Sequence, residues 1–182
     1  MEWMLMPLKR YAQFSGRSRR QEFWMFFLLQ FLIYFALTII AFVIGAGAAG
    51  MSSAGSTPGS AGLVGMFAAL GIFFLVYLVI AFGLLIPNIA VAVRRLHDTN
   101  RSGLWLLLMI VPYVLGYILA FMGAASQSTA IAGLGGIITL VGLIGAIVLL
   151  VFYCLPGTVG PNQYGPDPKG ADLGAVNVPP TY

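Results

Sequence analysis

The sequence predicts an all-α polytopic membrane protein: a bundle of four transmembrane helices with a kinked or broken second helix. Three observations carry that expectation. Hydrophobic residues make up 60% of the 182 residues and charged ones only 8%, where a soluble domain carries about 25% charge. The charged residues all lie outside four apolar runs: Phe23 to Ile44, Leu63 to Val93, Leu104 to Ala125 and Ile131 to Leu155. The basic residues fall on one side of those runs. A spanning helix needs about 20 residues to cross roughly 30 Å of hydrocarbon. Only helices and closed barrels complete their backbone hydrogen bonds there, and runs this long are helices.

The first run follows a basic stretch and precedes Ala46-Gly47-Ala48, a pattern that a signal peptide shares. A signal core is about 7–15 residues, shorter than this run, so we read it as a span. The second run is too long for one straight crossing. At ~1.5 Å per residue it would reach about 46 Å. Pro87 cannot donate to the carbonyl of Gly83, so a kink or break is expected there, giving spans of about 23–44, 63–87, 104–125 and 131–155. Beyond Pro87 the pattern is amphipathic, with Ile89, Ala92, Val93 and Leu96 on one face. Residues Asn88 to Asp98 read as a helix end that leaves the membrane or lies along it. The stretch Met51 to Gly62 is Gly, Ser and Ala with Pro58 and reads as a flexible outer connector. Residues 1–170 are expected to form one domain, and 171–182 a disordered tail.

Orientation follows from Lys and Arg. Lys9, Arg10, Arg17, Arg19 and Arg20 precede the first span, Arg94, Arg95 and Arg101 lie between the second and third, and Lys169 follows the fourth. The loops around Gly45 to Gly62 and Ser126 to Ala130 carry no charge. The positive-inside rule therefore makes both termini cytoplasmic.

Several classes of function are disfavoured. The basic residues are too few and scattered for a nucleic-acid footprint. One cysteine, Cys154, allows no internal disulfide, and one histidine, His97, allows no His/Cys metal cluster. No Asp, Glu, Lys, Arg or His lies between Glu22 and Arg94 or between Arg101 and Asp167, which argues against ion-coupled transport. Milder polar groups remain. Gln30, Tyr34 and Thr38 form one helical stripe, and Tyr113 with Tyr117 a second pair. These read as hydrogen bonds between helices, or alternatively as the lining of a small pore. Gly116, Ala120 and Ala124, and Gly142 with Ala146, have the small-residue spacing of closely packed helices.

Three polar segments share the basic side. The first is Phe14 to Trp24, FSGRSRRQEFW, in which Ser18 and Gln21 fit a capping box. The second is Arg94 to Gly103, RRLHDTNRSG, which as a helix places Arg94, His97, Asp98 and Arg101 on one face. The third is Gly160 to Pro168, GPNQYGPDP, whose Gly and Pro predict consecutive turns. Because each adjoins a helix end, the three are expected to converge. The expected cluster comprises Arg17, Arg19, Arg20, Glu22, Arg94, Arg95, His97, Asp98, Arg101, Asn162, Tyr164 and Asp167. Asp98 is expected to pair with Arg94 or with one of Arg17 to Arg20, and Asp167 to help offset the arginines.

These three segments, in this order, resemble the hallmarks of the bacterial inner-membrane proteins grouped as domain of unknown function 805. The resemblance covers roughly Leu8 to Lys169. The family pattern often has Gly where this chain has Asn100 and Trp where it has Leu104; neither departure touches a charged position. The resemblance implies a bacterial inner-membrane location and a multi-span helical fold, and brings no established activity, cofactor or catalytic residue.

The leading expectation is a non-enzymatic membrane protein whose basic cytoplasmic cluster binds anionic lipid headgroups or a protein partner, with a homo-oligomer as a further option. Basic residues near an anionic surface contribute about 1 kcal/mol each. A pore lined by the Gln30 to Thr38 stripe is the alternative. An enzyme acting on a lipid phosphate through Arg95, His97 and Asp98 is the third reading, with His97 as general base.

Overall fold

A computed structural model describes residues 2–53 and 61–170. The elements run α1 (Glu2–Lys9), α2 (Arg20–Ser53), α3 (Ala61–Asp98), a 3₁₀ turn (Gly103–Leu106), α4 (Leu107–Ala125) and α5 (Thr129–Cys154). Four of these segments are long and apolar enough to cross a membrane: Arg20–Gly47, Leu70–Asp98, Gly103–Ala125 and Thr129–Cys154. No strand occurs among the described residues, and the chain is an all-α membrane protein. The apolar side chains of these helices, such as Phe42, Phe82, Phe121 and Ile144, are largely exposed. That is the pattern expected where lipid covers the surface. Residues 54–60 of the expected outer connector and the tail 171–182 lie outside the described residues.

Two boundaries differ from expectation. α2 runs on beyond Ile44 to Ser53, because alanines such as Ala46 and Ala49 favour continuing a helix. A short helix, α1, precedes the first span. Glu2 in its first turn and Lys9 in its last oppose the helix dipole favourably.

The residues group into two compact units. The first comprises the described residues of Met1–Tyr11 and Trp24–Asn88. Here α2 and α3 meet through neutral groups. The Gln30 amide exchanges two hydrogen bonds with the Asn88 amide, at 2.7 and 2.9 Å. The rings of Tyr34 and Tyr77 lie 4.6 Å apart. The Thr38 hydroxyl donates to the Tyr34 carbonyl of its own helix. Each member of the polar stripe thus has a partner within the protein.

α3 is helical without interruption from Ala61 to Asp98, with Pro87 inside it. Of the expected kink or break, the break does not occur. Proline still removes the amide that would serve the carbonyl of Gly83. The hydroxyl of Tyr11 takes over that role, donating to the Gly83 carbonyl at 2.6 Å.

The second unit comprises the described residues of Ala12–Phe23 and Ile89–Tyr182. Its backbone is the antiparallel hairpin of α4 and α5, joined through Gln127, whose φ is 52°. Gly116, Gly123, Gly135, Gly142 and Gly145 are buried along the hairpin. A side chain on Gly116 would run into Thr139 and the Gly135 carbonyl, and one on Gly135 into the Ala120 backbone. The contact uses the expected spacing of four at Gly116 and Ala120, which both lie against Gly135, and adds glycines seven apart, 116 with 123 and 135 with 142. The amphipathic end of α3 packs onto this hairpin: Ala92 and Leu96 are buried with Leu106 and Leu149, and Ile89 and Val93 lie against them.

Candidate functional site

The polar segments of the second unit converge on the C-terminal end of α3. Asp98, the last residue of that helix, is the centre. Its Oδ1 accepts from Arg17 Nε at 3.0 Å and its Oδ2 from Arg95 Nη1 at 2.5 Å. Two arginines against one carboxylate leave an excess positive charge, and Arg95 is wholly buried. Buried charge is costly unless hydrogen bonds replace its hydration. Backbone carbonyls do so here. Arg17 Nη1 and Nη2 donate to Gly160 and Thr158 at 2.6 and 2.5 Å. Arg95 Nε donates to Tyr153 at 3.2 Å, and its Nη2 to Leu155. Arg20 Nη1 donates to Cys154 at 3.1 Å. Tyr153, Cys154 and Leu155 close α5, whose last carbonyls have no amide of their own helix. The arginines thus cap α5 while α5 solvates the arginines, and its dipole has the favourable sign.

A second buried pair lies beside the first. Arg94 Nη2 is 3.0 Å from Glu22 Oε1, and the two side chains are almost fully enclosed. Asp98 therefore pairs with Arg17 and Arg95, and not with Arg94 as one expectation had it. Arg94 and Asp98 share a helix face, but the carboxylate of Glu22 claims Arg94 first. The backbone joins in as well: the Ser18 amide donates to the Arg94 carbonyl at 3.1 Å. Fixing Ser18 there delays the helix. α2 starts at Arg20, the Arg19 carbonyl receives the Phe23 amide, and the buried Ser18 hydroxyl makes no hydrogen bond. The expected capping box does not form.

His97 ties all three segments together. Its ring stacks on Tyr164, with centroids 3.9 Å apart and planes 1° from parallel. Its Nδ1 lies 3.2 Å from the Gly16 carbonyl, and since a carbonyl only accepts, Nδ1 carries the proton in that contact. Asn162 Nδ2 donates to the His97 carbonyl at 2.9 Å and to Thr158 Oγ1 at 3.0 Å. Asn162 and Gly165 exchange backbone hydrogen bonds around the tight turn through Tyr164, and Asn162 Oδ1 accepts the Tyr164 amide.

Three residues behave differently from expectation. Arg101 stays outside the ion cluster, with its guanidinium 4.0 Å above the Phe152 ring. Asp167 forms no hydrogen-bonded pair with an arginine among the described residues, although the charge of Arg17 also favours its ionised form. Its carboxylate accepts the Lys169 and Gly160 amides at 2.9 and 3.0 Å, and those two amides hold it below the usual carboxylate range. Arg19 reaches the third segment through backbone, its Nε and Nη2 both donating to the Pro168 carbonyl.

Sequence reasoning missed Gly157 and Thr158, and read Gly160 only as the start of the third segment. Gly157 faces the Asp98 carboxylate so closely that any side chain would collide with it. Thr158 donates to the Asp98 carbonyl from both its amide, at 2.8 Å, and its hydroxyl, at 3.2 Å. The one signal for them is the Pro-Gly-Thr that follows α5 at a point where the chain must turn.

Beside the cluster opens a cleft of about 510 Å³, lined by Arg19, Arg20, Gln21, Asp98, Gly157, Pro168 and Lys169. Its cations outnumber its one carboxylate, and both oxygens of that carboxylate are already engaged by Arg17 and Arg95. No group of His, Cys, Asp and Glu among the described residues could hold a metal ion.

Four apolar helices together with a buried arginine–carboxylate cluster define a polytopic membrane protein with a polar, basic end to its second unit. The family model described as protein of unknown function (DUF805) matches residues 11–166, and the chain belongs to that family. It is 34% identical to the inner membrane protein YhaI of Escherichia coli K12 over 169 residues, covering 93% of this chain and 97% of that one. It is 32% identical to the inner membrane protein YhaH of the same organism, again over 169 residues, with coverage of 93% and 98%. A shorter match, 37% over 94 residues, is to YiiR, and covers 52% of this chain and 61% of that one. No solved structure matches the chain. The protein is a multi-pass inner-membrane protein of bacterial type.

Proposed function

We propose that this protein is a non-enzymatic membrane component that holds an anionic phospholipid headgroup in the cleft beside the arginine cluster, with that cleft and both chain termini on the cytoplasmic side. The observation that carries this reading is the charge of the cleft wall. Arg19, Arg20 and Lys169 face Asp98, whose charge is already neutralised by Arg17 and Arg95. A phosphate oxygen is the chemical group such a wall recognises, and guanidinium groups bind it through paired charge-assisted hydrogen bonds. The side follows from the positive-inside rule, and anionic lipid on that leaflet attracts basic residues near its surface.

The neutral partners of Gln30, Tyr34 and Thr38 do not favour a pore along that stripe. The engaged Nδ1 of His97 and its stacked ring suit a bridging role better than general base catalysis.

Native mass spectrometry of the purified protein tests the reading. The wild type should retain an anionic phospholipid, and Arg20→Gln with Lys169→Gln, which keeps the Arg17 and Arg95 bonds to Asp98, should lose it while still accumulating in the membrane. A wild type that carries zwitterionic and anionic lipid in the proportion of the surrounding membrane would refute it. A periplasm-active reporter should be silent when fused after Asn100 or at the C-terminus and active after Ser53 or Gln127.

A further inference from the structure

The cleft contains a built-in occupant. Arg19 presents Nε and Nη2, the two parallel donors of one guanidinium edge, to a single oxygen, the Pro168 carbonyl. That edge is the same donor pair with which arginine grips the two non-bridging oxygens of a phosphate. Here it closes on a neutral amide carbonyl, a weaker acceptor than a phosphate oxyanion.

The carbonyl belongs to a short strap. After the turn at Asn162, residues 166–170 fold back over the cleft wall, and one side chain holds their shape. Asp167 accepts the Lys169 and Gly160 amides on its carboxylate, and its own carbonyl accepts the Gly170 amide at 2.9 Å. The Arg19 fork on Pro168 ties this strap to the segment that leads into α2, and Lys169 lines the cleft, exposed.

We propose that the Pro168 carbonyl is an internal stand-in for a phosphate oxygen, so that a phosphate-bearing headgroup entering the cleft takes over the Arg19 fork and releases the strap of residues 166–170. This rests on the headgroup reading above and adds to it a consequence of binding. The physics is competition for one donor edge. Ligand and strap cannot both hold it, so occupancy of the cleft and ordering of residues 166–170 are negatively coupled, and each weakens the other by the same factor. A headgroup thus becomes a signal that frees residues 166–170 on the side of the membrane where the cleft opens. The same chemistry belongs to a lipid phosphate and to free phosphate.

Hydrogen exchange tests the exchange of partners. The full-length protein is placed in nanodiscs of phosphatidylcholine alone, in nanodiscs containing phosphatidylglycerol, and in phosphatidylcholine nanodiscs with added inorganic phosphate. Lipid retention is measured on the same samples by native mass spectrometry. The Gly160, Lys169 and Gly170 amides report the strap, and the Asn162–Gly165 turn, closed by its own backbone bonds, serves as reference. Phosphatidylglycerol should speed strap exchange about tenfold relative to the reference, since losing a charge-assisted hydrogen bond is worth at least that factor. Arg19→Lys, which keeps the charge and loses the fork, should exchange fast in all three conditions. Acceleration by inorganic phosphate alone would identify free phosphate as a sufficient ligand. Retained phosphatidylglycerol with unchanged strap exchange overturns this inference and leaves the headgroup reading standing. Absence of retained anionic lipid, with no response to inorganic phosphate, overturns both.

Discussion

The two units of this protein solve one problem in two ways. Each supplies partners for polar groups where water is scarce. The first unit uses neutral pairs: amide with amide at Gln30 and Asn88, and hydroxyl with carbonyl at Tyr11 and Gly83. The second uses ions: Arg17 and Arg95 on Asp98, and Arg94 on Glu22. Neutral pairs are cheap to bury and cheap to lose. Ionic clusters are costly to bury and costlier to break, because removing one partner strands the other charge. The difference teaches where this fold is brittle. The first unit should tolerate loss of its polar contacts, and the second should not.

The sharpest way to break that comparison is at Asp98. Asp98→Ala removes the counter-charge of two enclosed guanidinium groups, and about 3–5 kcal/mol should be lost. The protein should fall to low levels in the membrane, measured by quantitative immunoblot against Lys9→Ala and Lys169→Ala controls. Normal accumulation of the Asp98 variant would mean that the carbonyls of residues 153–160 suffice for both arginines, and the ionic reading of the second unit would fail.

A smaller effect is expected between Gln30 and Asn88. A double-mutant cycle with Leu at each position should give a coupling of about 0.6 kcal/mol and no more than about 1.7, the range for side-chain hydrogen bonds inside membranes. Thermal unfolding in detergent is the measurement. Coupling as large as the Asp98 effect would erase the contrast between the units.

A change of similar size is expected from Tyr11→Phe. It removes only the hydroxyl that serves the Gly83 carbonyl, and about 0.5–1.5 kcal/mol should be lost. Pro87→Ala restores a helical amide for that carbonyl. In that background Tyr11→Phe should cost almost nothing by the same unfolding assay. An undiminished cost would show that Tyr11 acts by packing alone.

Much of this was legible in one dimension. Spans appear in a sequence because a bilayer demands uninterrupted apolar length, a local property. The orphaned carbonyl at Gly83 was legible too, since proline's missing donor acts at a fixed offset. Its new partner was not, because Tyr11 is far from it in sequence. The face of Ile89, Ala92, Val93 and Leu96 was readable from helical period, and these residues pack on Leu106 and Leu149. Asn100, which stands where the family pattern often has glycine, has a φ of 58°. That is the left-handed region glycine enters freely and asparagine tolerates.

The sequence by itself determined the membrane, the four spans and which polar residues had to find company. Those follow from composition and period, which need no knowledge of where the chain goes next. Only the tertiary structure decided the pairing. Two arginines adjacent in sequence, Arg94 and Arg95, serve different carboxylates, because neighbouring residues on a helix point about 100° apart. Glu22 waits on one side and Asp98 on the other. Most of the acceptors that make the arginines tolerable are backbone carbonyls at Tyr153, Leu155, Thr158 and Gly160. Every residue has such a carbonyl, so no residue type advertises it. It becomes a ligand for charge only where a helix ends and the fold brings that end to the arginines.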